Sequence, residues 1–335
     1  VNHGTTMNYP GTSQTLIVQD HLENHGSISN NSSSNLYLNL AGNLFNYGII
    51  TNSYIDFNGA VEQNIFQGST ASDIACGSLK KTNSSGSLKL LSDLNLVGCS
   101  VSLNNRTLYL NSQRLSLNGQ YIANAQLASS ETSTLLLSNY AYLNGISGGN
   151  LSLQGTVLIY GTCSFTSLEN WGVLANRGGG SAILNIANNL TNHNSINNDD
   201  YTLHVYVGGN LINRGTISNR RMYINGTGAQ DVELVGTESL QQLTLSSGIG
   251  YAAWYRNGEY YSSATDLNLN MNFQNLYAEW QPYVAASNTW GRIISIHPPT
   301  SLAAPANLCI QLGEDGILLI WDEVLGATCY NIYSS

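Results

Sequence analysis

The sequence predicts an all-β protein dominated by a parallel β-helix, or β-solenoid, with rungs of about 22 residues. Three observations carry this. The pattern Leu-x-Asn-x-Gly-x-Ile-x-Asn recurs through the chain. Its copies fall at a nearly fixed period in two blocks, and charged residues make up only 9% of the chain, with Ser, Thr, Asn and Gly filling the gaps. A period in this range is the signature of a stacked, quasi-one-dimensional architecture.

The clearest copies run Leu22-Glu-Asn24-His-Gly26-Ser-Ile28-Ser-Asn30 and Leu44-Phe-Asn46-Tyr-Gly48-Ile-Ile50-Thr-Asn52. Further copies span Leu168 to Asn176, Leu190 to Asn198 (with Asn194 in the glycine position) and Leu211 to Asn219. A clipped copy opens the chain at Asn2-His-Gly4. The conserved spacing within each copy is two residues, which is the period of a strand and not of a helix. A leucine-rich horseshoe would need a patterned return segment, and none is present. Each rung is therefore expected to hold about three short strands, and about 11 rungs at ~4.8 Å would make a rod roughly 50 Å long.

In this arrangement Leu22, Leu44, Leu168, Leu190 and Leu211 point inward and stack, as do Ile28, Ile50, Ile196 and Ile217. The motif glycine suits either a positive φ or a close backbone approach. The recurrent asparagine has a structural task, because identical amides at the rung spacing can bond to one another up the stack. Asn24 with Asn46, and Asn170 with Asn192 and Asn213, are the expected ladders. A longer duplication lies above the rung period. Asn43–Asn52 matches Asn210–Asn219, and Phe57-Asn-Gly59 with Gln63 matches Ile224-Asn-Gly226 with Gln230. Between the blocks, Leu88, Leu90, Leu94, Leu96, Leu103, Leu108, Leu110, Leu115 and Leu117 alternate with polar residues, so the solenoid is expected to run unbroken over residues 1–245.

Composition excludes some functions. The net charge is −9 with 11 Lys plus Arg, which leaves no basic footprint for nucleic acid. No apolar run reaches the length of a membrane span. Low charge with abundant Ser, Thr, Asn and 20 Tyr points to an extracellular or cell-surface protein. The chain starts without Met inside a rung, so it reads as processed or partial. Cys76, Cys99, Cys163, Cys309 and Cys329 show no metal or redox spacing. Cys76 and Cys99 lie about one rung apart and would either stack in a ladder or form a disulfide. The sequons, Asn225 among them, read as accidents of composition.

Residues 246–297 change character: Trp254-Tyr255 and Leu276-Tyr-Ala-Glu-Trp280 are aromatic-rich. They resemble the second half of a small β-rich repeat of internalin-type surface proteins. The expectation is a β capping module, because an open solenoid end is a template for stray pairing. Residues 298–304 read as a Pro-rich linker. Residues 305–335 resemble the start of a fibronectin type III domain, with Leu308 and Ile310 in its first strand, Leu319 and Trp321 in its second, and Tyr330 and Ile332 in its third. The solenoid motif, as in Gly42-Asn-Leu44-Phe-Asn46-Tyr-Gly48, resembles the repeats of bacterial secreted β-solenoid surface proteins, of the filamentous-haemagglutinin and autotransporter kind. That resemblance implies an adhesin or a structural fibre.

No catalytic, cofactor-binding or metal-binding residues are expected. A β-helix polysaccharide lyase or glycosidase would need clustered carboxylates on one face. The densest grouping, Asp199-Asp200 with His193 and His204, sits in an ordinary turn. The expected function is an extracellular structural or adhesive protein, the alternative a carbohydrate-binding or carbohydrate-cleaving β-helix. The expected partners are further copies of the chain, joined head to tail, or host-surface ligands. The first reading takes Leu308, Ile310, Leu319, Trp321, Tyr330 and Ile332 as an unmatched apolar surface for assembly. The other takes the chain as continuing beyond both ends.

Overall fold

Strand after strand shows the alternation that the sequence requires. Leu36–Leu40 buries Leu36, Leu38 and Leu40 and leaves Tyr37 and Asn39 half-exposed; Leu203–Val207 does the same with Leu203, Val205 and Val207. The computed structural model describes residues 1–31, 34–83, 85–128, 133–198, 201–235, 237–238, 240, 242–270, 276–297, 309–313 and 316–320. Over these residues the chain is a parallel β-solenoid of about 11 turns with almost no helix. Among them the single helical element is a 3-10 turn, Ala285–Ser287.

Three parallel sheets form the sides of the solenoid, and the chain visits them in a constant order. Sheet 1 holds Leu22–Asn24, Leu44–Asn46 and Gln63–Gln67, and later Leu203–Val207 and Arg221–Ile224. Sheet 2 holds Ser27–Ser29, Leu94–Val97, Arg114–Asn118 and Ser133–Ser138, and later Leu190–Asn192 and Leu211–Asn213. Sheet 3 holds Gln14–Val18, Leu36–Leu40, Tyr142–Asn144 and Val173–Asn176. The inward side chains of all three meet in one core, in which Leu38, Ile50, Leu115, Leu153, Val205 and Ile217 are fully shielded from solvent. Each such aliphatic side chain contributes about 1.5–3 kcal/mol on burial.

The register shows an unexpected rotation. In the first block the Leu-x-Asn strand, Leu22–Asn24 and Leu44–Asn46, lies in sheet 1, and the strand with Ile28 and Ile50 lies in sheet 2. Sheet 2 can be followed upward from there through Thr51, Ala75, Val97, Asn118 and Ser138. The next strand of that sheet, Ser147–Tyr160, pairs Leu151 with Leu168 and Leu153 with Asn170. The Leu-x-Asn strands of the second block therefore lie in sheet 2. The same motif has moved one side round the solenoid.

From Ala252 the pairing changes to antiparallel. Ala252–Arg256 pairs with Glu259–Ala264 and with Ala278–Val284. This segment returns to the solenoid twice: Asp266–Asn270 lies antiparallel along Gln242–Ser246 of sheet 1, and Ile294–His297 lies parallel along Gln230–Glu233 of sheet 2. Trp254 and Trp280 are fully buried, and their indole N–H groups donate to Ala264 O and Leu276 O, each at 3.1 Å. The expected linker at residues 298–304 lies outside the described residues. Of residues 305–335 the structure describes Cys309–Gly313 and Gly316–Ile320, an antiparallel pair in which Ile310 faces Leu319 in register. Leu308, Trp321, Tyr330 and Ile332 lie outside the described residues.

Candidate functional site on the outer face of the solenoid

The recurrent residues of the motif are built into the scaffold. Leu44, Leu190 and Leu211 are fully buried, and Leu22 and Leu168 nearly so. Leu22 stacks on Leu44, and Leu168 on Leu190 and Leu211, each set in its own sheet. Asn24, Asn46, Asn170, Asn192 and Asn213 are fully buried. Asn2 Nδ2 donates to Asn24 Oδ1 at 2.7 Å, and Asn24 Nδ2 to Asn46 Oδ1 at 2.8 Å. The second ladder runs Asn170 to Asn192 at 2.8 Å and Asn192 to Asn213 at 2.7 Å. The same amides also serve the turns: Asn24 Nδ2 donates to Ile49 O and Asn170 Nδ2 to Ser195 O in the next rung. The motif glycine answers to close approach. At Gly48 a Cβ would lie 2.1 Å from Gly26 O, and φ there is not positive.

The long duplication repeats a turn atom for atom. Gln63 Nε2 donates to Leu40 O and Gly42 O while its Oε1 accepts from Gly59 N–H. Gln230 does the same with Val207 O, Gly209 O and Gly226 N–H. A cation completes each. Lys81 Nζ donates to Gln63 Oε1 at 3.0 Å and to Gly59 O, and Arg292 Nε donates to Gln230 Oε1 at 2.9 Å. Arg292 also donates to Ile224 O and Ser247 O, which ties the antiparallel segment to the last rungs.

Lys81 is fully buried, and burial lowers its ammonium pKa, with Asp56 raising it and Arg106 lowering it further. The unfolded chain therefore binds this proton more tightly than the folded one. The cost is present at neutral pH and is relieved as pH rises from the folded value toward the ordinary lysine range. Lys81→Met is expected to remove that rising component, so the variant's urea stability should gain less than the parent's between pH 8 and pH 10. Parallel pH profiles would count against this.

Cys76 and Cys99 are joined by a disulfide across neighbouring rungs, their Cα atoms 4.9 Å apart. Cys163 is buried in sheet 1, where desolvation pushes its thiol up to about 11. Neither offers a reactive thiolate. Of the acidic and histidine grouping, Asp199 and Asp200 lie outside the described residues. His193 bonds Glu169 through Nε2 at 3.1 Å, and His204 stands 3.3 Å from the Tyr223 hydroxyl. Burial, then Arg221, lowers the His204 pKa. Among the described residues there is no metal-holding cluster, and no helix is long and apolar enough to cross a membrane.

The outer face is where unassigned chemistry lies. In every copy but Leu211–Asn219, which has Arg214, the residue after the motif's first Asn is a ring, and these rings stack on the outer face. His3 lies on His25 at 4.9 Å and His25 on Tyr47 at 4.7 Å, where sheets 1 and 2 meet. Trp171 lies on His193 at 3.7 Å, 6° from parallel, where sheets 2 and 3 meet. A third pair, Tyr206 and Tyr223, stands in the middle of sheet 1 at 4.2 Å. Beside it runs a groove of about 420 Å³ whose lining includes Ser164, Asn185, Tyr206, Asn225 and Thr227. Sequence reasoning missed these rings, although the His, Tyr, Trp and His at the fourth motif position were a visible signal. No family model, no curated protein and no solved structure matches the chain.

Proposed function

We propose that this chain is an extracellular structural or adhesive protein without enzymatic activity, a stiff solenoid that presents repeated side chains to a surface. One observation carries the reading. In both blocks the buried residues of the motif hold neighbouring rungs together, and at the next position His25 with Tyr47 and Trp171 with His193 turn stacked rings outward, so the scaffold repeats a display. Aromatic side chains offer large, stiff contact area and are enriched where proteins meet partners. In this reading the antiparallel segment from Ala252 to His297 covers the edge of the last rungs, the role that an end cap has in repeat proteins. The likeness to haemagglutinin-type repeats, the fibronectin-like reading of residues 305–335 and head-to-tail association into a filament belong to the same proposal.

The test is adhesion. Beads coated with the 335-residue chain should attach to cells or matrix-coated glass, and attachment should fall at least severalfold when His25, Tyr47, Trp171 and His193 are all replaced by Ser. Beads that attach to none of the surfaces, or attach equally well with the variant, would defeat the reading. Light scattering of the free chain decides whether it also self-associates. A second reading, carbohydrate binding, is favoured by the groove beside Tyr206.

A further inference from the structure

Tyr206 and Tyr223 are in-register partners on neighbouring strands of sheet 1, their rings 4.2 Å apart and 8° from parallel. Rings stacked at nearly the strand spacing of about 4.8 Å lie across the solenoid axis. Tyr223 covers one face of Tyr206. The rung on the other side places Asn185 in register with Tyr206, and the rung before that places Ser164 in register with Asn185. Both side chains are too short to cover a phenol ring. The outer surface therefore makes a step, with the second face of Tyr206 as its riser.

The floor of the step is held low. Gly208 follows Tyr206 and Val207, and a Cβ there would lie 2.3 Å from Ala187 O. Polar groups stand round it. Asn185 spends one amide proton on Ser164 Oγ at 3.3 Å and keeps its carbonyl oxygen. The Asn225 amide and the Thr227 hydroxyl complete the lining, which contains no carboxylate, ammonium or guanidinium. His204 and Arg221 are in register with each other across the same two strands as the tyrosine pair, beyond the groove. An aromatic face with a few placed neutral donors and acceptors is the composition of a site for a polar but uncharged ligand.

We propose that this step binds one neutral pyranose unit of a glycan. The apolar C–H face of the sugar lies on the free face of Tyr206, and its hydroxyls bond to Asn185, Asn225 and Thr227. The groove lining itself offers an acidic sugar no counter-charge, and the nearby cation, Arg221, acts on Tyr206 from outside that lining. The inference gives the adhesive reading a chemical class of partner, and it rests on that reading.

The experiment uses the full chain, made in a host that does not glycosylate it, on an array of neutral and acidic oligosaccharides and in affinity electrophoresis through gels containing neutral β-glucan, xylan or polygalacturonate. Binding to at least one neutral glycan is expected, with polygalacturonate not retarding the chain. Tyr206→Ala should weaken binding about tenfold, near the upper worth of one aromatic contact, while Tyr206→Phe keeps most of it. Asn225→Ala, which alters no described hydrogen bond, should weaken binding while leaving the melting temperature in place. No neutral glycan bound, acidic glycans alone bound, or equal binding by Tyr206→Ala would each overturn the proposal. Beads that still adhere although no glycan is bound would sink this site and leave the adhesive reading intact. Glycan binding without adhesion would do the reverse.

Discussion

Leu44→Asp is expected to unfold the first rungs, at a cost above about 5 kcal/mol. Leu44 is fully buried in sheet 1, in register with Leu22 on one side and Ile65 on the other. Removing the side chain alone, as in Leu44→Ala, should cost about 2–5 kcal/mol through lost burial and a residual cavity. The carboxyl adds a polar group that finds no donor among stacked aliphatics, ionised or not. Because each rung touches only its neighbours, the damage should be graded along the rod. Limited proteolysis should cut the first rungs early while residues 150–245 resist. A variant that melts within about 1 kcal/mol of the parent would mean that Leu44 does not sit in a dry stack.

Asn192→Ala should be the second largest loss, about 2–4 kcal/mol, because a buried amide left unpaired costs about 1–3 kcal/mol and two are affected. Asn192 is the centre of its ladder. It accepts from Asn170, and it donates to Asn213 Oδ1, to Asn194 O and to Thr216 O in the next rung. Asn46 accepts from Asn24 and exchanges bonds with Gly48 of its own rung. Asn46→Ala should accordingly cost less, about 1–3 kcal/mol. Urea unfolding of the two variants side by side is the check, and an order of effects with Asn46 ahead would show that the ladder is not what these amides contribute.

The inward half of this fold was legible because the side chains that meet are copies of one another. Leu22 meets Leu44, Ile28 meets Ile50 and Asn170 meets Asn192, so a repeat in sequence is already a contact. The outward half was less legible, because many residues that meet there are unlike, such as Trp171 with His193 and Asn185 with Tyr206, and the like pair Tyr206 and Tyr223 lies outside the motif. The rotation of the motif was hidden for a different reason. Partners are 22 residues apart at Leu22 and Leu44, 18 at Leu135 and Leu153, and 17 at Leu151 and Leu168. The middle rungs shorten their turns and carry no copy of the motif, so nothing in the sequence keeps count of the sides between Asn52 and Leu168. The glycine was ambiguous in the same way. Its two rationales, positive φ and close approach, write the same letter, and the register at Gly26 and Gly48 chooses the second.

That rotation decides how the rod can sit against anything flat. His3, His25 and Tyr47 run along one edge, and Trp171 and His193 along the next. With three sheets to the circuit, these edges look in directions about a third of a turn apart. A plane laid on the first edge leaves the second facing away from it. A rod that used both would be bivalent by construction, a strut between two bodies, with its early rungs bound to one and its later rungs to the other.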